Sequence, residues 1–280
     1  MAGAAQYPGS ALRLARALDE RTKRETLAGR VPALISHPDW QTPAPLVLWM
    51  HGRTSRKEID SGRYLRLIRA GIAVCAIDLP GHGDRYEAVF QEASGTVDLL
   101  TRAQSEVDEV VESLFDGPHA AVLDRDRLGI GGISAGGMVT LRRLCEPHDF
   151  KCAAVEATTG WLENLYFPED GGQDRWPVDH EREAVRAIDP MAHLDGFEPV
   201  PLLALHSEAD DLVPFEGQRR FIDALRDRYV ARNASPASVK LVTWPQTGAP
   251  QEHLGFGRHS SEAKNIQVEF FTQHLIGASA

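Results

Sequence analysis

The chain has 280 residues, 42% of them hydrophobic, enough for a substantial core in one large domain. Its formal net charge of −10, with no dense Lys/Arg block, argues against nucleic acid or an anionic membrane as the main partner. Cys75, Cys145 and Cys152 are too few and too irregularly spaced for a disulfide framework or a zinc cluster. Met1 to Pro8 lacks the pattern of a signal peptide, and no apolar run approaches the roughly 20 residues of a membrane span, so a cytoplasmic location is expected.

Residues 10–27 set Leu12, Leu14, Ala15 and Leu18 among charged residues, a spacing that predicts an amphipathic helix stopped near Gly29. Val31 to Ile35 reads as an early strand. From Pro45 onward apolar strands and helical patterns alternate. Leu46 to Met50 is a strand, Tyr64 to Ala70 a helix ending at Gly71, and Ile72 to Ile77 a strand. Val97 to Phe115 is a long helix, Asp126 to Gly131 a short strand, Gly137 to Leu144 a helix and Ala153 to Ala157 a strand. Leu202 to Leu205, a helix around 217–228, Val239 to Val242 and a helix over 263–275 complete the series. Strands apolar on both faces and separated by helices predict an α/β fold, a mostly parallel sheet covered by helices. A single domain over 1–280 is expected.

Residues 160–196 interrupt this rhythm. They lack a strand and are rich in aromatic and acidic residues, which reads as a short cap inserted on the ligand side of the sheet. An ordinary helix and loop is the plainer alternative. Trp161, Leu162, Leu165, Tyr166, Phe167 and Trp176 would either line a pocket or fasten this segment down.

Gly132-Ile133-Ser134-Ala135-Gly136 lies between a strand and a helix, the place and pattern of a nucleophile elbow. So tight a turn leaves little space for a Cβ two residues either side of the serine, which Gly132 and Gly136 accommodate. A dinucleotide-binding reading of the glycines fails, because Gly129-x-Gly131 would need a third glycine where Ser134 stands. A serine hydroxyl needs a base, a group to orient the base and donors for the oxyanion. Asp210 follows the strand Leu202 to Leu205 and is the candidate acid, with Asp211 in reserve. His253 follows the strand Val239 to Val242 and is the candidate base. The competing His259 abuts Ser260-Ser261-Glu262, which resembles a helix cap. Ala135 N–H and the Arg53 N–H, in the loop after Met50, are the candidate oxyanion donors; the Arg53 side chain either enters the pocket or lies at the surface. His82 reads as structural or as part of a polar rim, and the histidines lack the spacing of a zinc site.

The motifs His51-Gly52-x-Thr54-Ser55-x-Lys57-Glu58, Asp78-Leu79-Pro80-Gly81-His82-Gly83-Asp84-Arg85, Gly132-x-Ser134-x-Gly136, Asp210-x-x-Val213-Pro214 and the late His253 occur in this order from about residue 45 to the end. In them the chain resembles the small serine carboxylesterases of the α/β-hydrolase superfamily, nearest the branch with prolyl-oligopeptidase-like and dienelactone-hydrolase-like catalytic domains. The resemblance implies an eight-stranded, mostly parallel sheet and ester hydrolysis through an acyl-enzyme, without a cofactor; no metal is expected, given the histidine spacing. It implies Ser134 as nucleophile, Asp210 as acid, His253 as base, and Arg53 and Ala135 at the oxyanion positions. Two departures stand out: Ser207 where many relatives have glycine, and an extended Thr-Gly-Ala-Pro-Gln-Glu lead before His253. The expected partner is a small-molecule ester of small to medium acyl length, and no oligomeric state follows. A peptidase or acyltransferase would use the same residues; 280 residues leave little room for a large peptide-filtering domain. A non-catalytic receptor on the same scaffold is a third reading.

Overall fold

Each apolar strand of the chain carries side chains to both faces of one sheet. In the strand Ala44–Met50, Leu46, Leu48 and Met50 enter one core, while Val47 and Trp49 enter the other. Such strands stay dry only between two helical layers. A computed structural model describes residues 12–168, 178 and 180–277 and shows that arrangement. The strands are β1 (Thr22–Leu27), β2 (Val31–Ser36), β3 (Ala44–Met50), β4 (Ala73–Ile77), β5 (Leu123–Ile133), β6 (Cys152–Glu156), β7 (Leu202–Ser207) and β8 (Val239–Trp244). They form an eight-stranded sheet in the order β1-β2-β4-β3-β5-β6-β7-β8. β1 and β2, and β2 and β4, pair antiparallel; every other pair is parallel.

The helices are α1 (Arg16–Asp19), α2 (Ser61–Arg69), α3 (Thr96–Phe115), α4 (Ala135–Arg143), α5 (Leu162–Tyr166), α6 (Arg182–Ile188), α7 (Phe215–Ala231) and α8 (Ser260–Leu275). Side chains of α1, α2 and α8 share one core with the sheet, and those of α3 to α7 share the other. None of the described helices is long and apolar enough to cross a membrane.

The helix predicted over 10–27 is corrected. Among the described residues of that span, 12–27, only Arg16–Asp19 is helical, and Thr22–Leu27 is the edge strand β1. Gly29 does not stop a helix. With Ala28 at φ 47° and Gly29 at φ 69°, it turns the β1–β2 hairpin, in which Leu27 pairs with Val31.

Within 160–196 the described residues include α5, α6 and the 3-10 stretch Pro190–Gly196. Leu162, Leu165, Tyr166, Val185 and Ile188 join the core face of α3 and α4. The buried Asp189 carboxylate accepts from Leu162 N (2.9 Å), Glu163 N (3.0 Å) and Met191 N (3.1 Å), which ties the two ends of the segment together. Burial raises this carboxyl to about 6 despite those donors. Trp176 lies outside the described residues.

Candidate active site

Ser134 sits where β5 turns into α4, at φ 53° and ψ −117°. This conformation strains a non-glycine residue, at a cost of about 1–3 kcal/mol. Its surroundings hold it: Ser134 N donates to Glu156 O at 2.9 Å, and Ser134 O accepts from Met138 N (2.9 Å) and Thr158 Oγ1 (2.8 Å). A Cβ on Gly136 would lie 2.3 Å from Met50 O, and one on Gly132 would lie 2.5 Å from the carbonyl carbon of Gly136. The two glycines therefore let the backbones of β3, β5 and α4 converge beneath the serine.

The ends of β7 and β8 bring two further groups to it. His253 Nδ1 lies 2.8 Å from Asp210 Oδ2, and His253 Nε2 lies 3.0 Å from Ser134 Oγ. An ionised carboxylate only accepts, so the ring proton is on Nδ1 and Nε2 is left to accept from the serine hydroxyl. Asp210 is buried, and its Oδ1 also accepts from Leu212 N (2.9 Å) and Val213 N (2.8 Å). His206 stands behind it, Nε2 3.5 Å from Asp210 Oδ2, and donates to Val213 O at 2.9 Å; burial lowers its pKa.

The reserve candidates lie apart. Asp211 is exposed and reaches the site only through its backbone N–H, which donates to Gln251 O at 3.1 Å. His259 stacks on Trp244 and lies 2.8 Å from Glu262 Oε2, in the first turn of α8.

The loop after β3 runs beside the serine. A Cβ on Gly52 would lie 3.3 Å from Ser134 Cβ and 3.9 Å from its Oγ. Ala135 opens α4, where a backbone N–H has no acceptor within the helix. The Arg53 side chain is half-buried and turns to the Gln91 carbonyl, its Nη1 donating at 2.6 Å. Gly52, Arg53, Thr54, Ile59, Asp60, Ile133, Ser134, Leu212, Gln251, His253, Leu254 and Lys264 are among the residues lining a cavity of about 460 Å³. Trp161, Leu162, Leu165, Tyr166 and Phe167 are not among them. The first and last of these pack against the core and against Arg220 and Arg182, and the other three are buried.

Most residues of the first two motifs fasten this loop. His82 Nδ1–H donates to Pro80 O (2.8 Å), and its Nε2 accepts from Thr54 N (2.8 Å). His51 does the same with Gly52 O (2.7 Å) and Leu79 N (3.0 Å). Burial pushes both rings down to about 4, so both stay neutral and keep one nitrogen as an acceptor. Lys57 Nζ reaches Asp78 Oδ2 (2.8 Å), Asp84 Oδ2 (2.6 Å) and Glu58 Oε1 (3.2 Å). A Cβ on Gly83 would fall 2.0 Å from Asp78 Oδ1, so the loop after β4 closes directly over this carboxylate. Beneath the elbow, buried Arg63 donates to Glu156 Oε1 at 2.6 Å and stacks 4.0 Å over the Trp49 ring. Burial raises the Glu156 carboxyl against the pull of Arg63. Sequence reasoning did not find Arg63, Glu156 or the Lys57 pairings, although Lys57 and Asp78 both lie in the quoted motifs.

A serine hydroxyl hydrogen-bonded to a carboxylate-oriented imidazole, at the strand ends of a doubly covered parallel sheet, defines a serine hydrolase of the α/β-hydrolase superfamily. Within it, the model of the prolyl oligopeptidase family matches residues 61–277, and the chain belongs to that family. The chain is 27% identical over 265 residues to Esterase YjfP of Escherichia coli (strain K12), an alignment that covers 88% of this chain and 96% of that protein. TT1662 from Thermus thermophilus superposes with a TM-score of 0.66 at 22% identity, covering 91% of this chain and 98% of its own. The acylaminoacyl peptidase of Pyrococcus horikoshii superposes at 0.69 and 19% identity; 93% of this chain covers 42% of that one. At these identities the two structural likenesses speak for the fold alone.

Proposed function

We propose that the chain hydrolyses carboxylic esters of small to medium acyl length through an acyl-enzyme. The observation that carries this reading is the single imidazole of His253 set between Ser134 Oγ and Asp210 Oδ2. Ser134 Oγ attacks the ester carbonyl as His253 Nε2 takes its proton, and Asp210 stabilises the imidazolium that forms. The oxyanion is held by the N–H groups of Ala135 and Arg53. Collapse of the tetrahedral intermediate expels the alcohol, which takes the proton from His253. Water, deprotonated by the same ring, then releases the acid and restores Ser134. Similarity to Esterase YjfP over 96% of that protein's length supports ester chemistry. Replacing Ser134 with Ala is expected to lower kcat on p-nitrophenyl butyrate by roughly 10⁶-fold, the scale of loss when such a nucleophile is removed. An unchanged rate in the purified variant would overturn the assignment.

Membership of the prolyl oligopeptidase family favours amide cleavage as the second reading. Turnover of matched acyl ester and aminoacyl amide substrates separates the two. A larger kcat/KM on the amide would favour the peptidase.

A further inference from the structure

The two departures noted in the sequence, Ser207 and the long lead before His253, meet at one carboxylate. Glu252 Oε2 accepts from Ser207 Oγ (2.8 Å), Thr247 N (2.6 Å) and Thr247 Oγ1 (2.7 Å), and its Oε1 accepts from Gly248 N (2.7 Å). Four donors therefore converge on a single side chain one residue before His253. We propose that Glu252 is the positioning residue of the active site, clamping the His253 loop to the end of β7 so that the imidazole stays in line between Asp210 and Ser134. The inference rests on His253 acting as the base in the proposed mechanism.

Three observations support the assignment. First, the loop does not hold its shape by backbone preference. Gln251 and Glu252 both have left-handed backbones, at φ 55° and 51°, a region that favours glycine. Two such residues in succession, directly before the functional side chain, need an external restraint, and charge-assisted hydrogen bonds to a carboxylate are strong ones. Second, the clamp reaches the strand end that also supplies the acid. Ser207 is the last residue of β7 and lies three positions before Asp210. A backbone bond from Asp211 N to Gln251 O (3.1 Å) runs parallel to it. Asp210 and His253 are thereby fixed relative to each other by contacts other than their own. Third, Glu252 is not among the residues lining the substrate cavity, whereas its neighbours Gln251 and His253 are. Its removal should therefore disturb the alignment of the base and leave substrate binding intact. The donors hold the Glu252 carboxyl down to about 2, with the Thr247 N–H the largest influence, so the clamp stays charged through the neutral range.

The test is steady-state kinetics of Glu252→Gln and Ser207→Ala on p-nitrophenyl butyrate, alongside the downfield proton resonance of the His253 Nδ1–H. A displacement of about 1 Å at a reacting group costs on the order of 100-fold in rate. Glu252→Gln is therefore expected to lose roughly 100-fold in kcat at unchanged KM, with the Nδ1–H resonance broadened by exchange. Ser207→Ala, which removes one of the four donors, is expected to show a smaller loss of the same kind. A folded Glu252→Gln with wild-type kcat, or a change in KM alone, would overturn the positioning role. If Glu252→Gln does not fold, Ser207→Ala decides: a loss confined to kcat supports the clamp, and a wild-type kcat overturns it. His253→Ala tells this failure from that of the underlying mechanism. If His253→Ala is inactive while Glu252→Gln behaves as wild type, only the clamp falls; an active His253→Ala would sink the triad and the clamp with it.

Discussion

Asp210 has spent both carboxylate oxygens on fixed donors, two backbone N–H groups and the His253 ring, whereas Asp211 points its side chain to solvent. Under the proposed mechanism, Asp210→Asn would present either an amide N–H or a weaker acceptor to Nδ1 and favour the wrong ring tautomer. The expected loss in kcat is on the order of 10⁴-fold, as in other serine triads with this change. Asp211→Asn should stay close to wild type. Measuring kcat for both variants on one ester checks the pair, and equal losses would count against the choice of acid. Residues of this kind were legible in the sequence because their constraints are local. Gly132 and Gly136 are dictated by a five-residue turn, and His259 was separated from His253 by its place beside Glu262, with which it now pairs. Glu252 was not legible as a clamp, since its partner Ser207 is 45 positions away and only the β7–β8 pairing brings them together.

At the scale of elements, the parallel strands were readable because both faces are apolar, and the edge strand was not. In β1, Lys23, Arg24 and Thr26 are exposed, so the strand has no apolar run of its own. Charged edges of this sort discourage pairing with other chains and at the same time disguise the strand. Helical spacing just upstream, at Leu14 and Leu18, then extended a helix reading across it. The loops after β3 and β4 allow a sharper prediction, because they are joined by two neutral, buried histidines. His51 and His82 have pKa values lowered by burial from 6.5 to about 4. Below pH 6.5 the unfolded chain takes up protons on these rings that the folded chain refuses until about pH 4. Their contribution to stability is therefore fully present above pH 6.5 and is lost as the pH falls towards 4. The loss is up to roughly 3 kcal/mol per ring, at about 1.4 kcal/mol per pKa unit. Urea unfolding across this window should show stability falling with acid, and His82→Gln should make the dependence shallower. Because the raised Asp189 carboxyl acts in the opposite sense over the same window, the comparison decides: an acid dependence unchanged in His82→Gln would show that this ring titrates normally.

For the whole molecule, one end of the sheet gathers the loops that follow β3, β5, β7 and β8, and the cavity of about 460 Å³ opens among them. That volume lies in the lower part of the range for small-molecule sites, about 300–1,000 Å³. Its wall is mixed. Ile59, Ile133, Leu212 and Leu254 offer apolar surface, with Ile59 and Leu254 more than half exposed at the rim, while Asp60 and Lys264 contribute charge. The Asp60 Oδ2 accepts from the Trp49 indole (2.9 Å) and pairs with Arg63 (2.9 Å), which fixes this carboxylate in the wall. An acyl chain entering such a cavity gains about 0.8 kcal/mol for each methylene it buries, or roughly fourfold in kcat/KM per carbon. The gain ends once the cavity is full, because further methylenes remain in water. Across p-nitrophenyl esters of increasing acyl length, kcat/KM is therefore expected to climb through the short chains, level off at medium length and fall once long chains must fold back over Ile59 and Leu254. A continued rise into long acyl chains would mean that the substrate lies along a surface outside the cavity, and that the preference for small to medium esters is wrong.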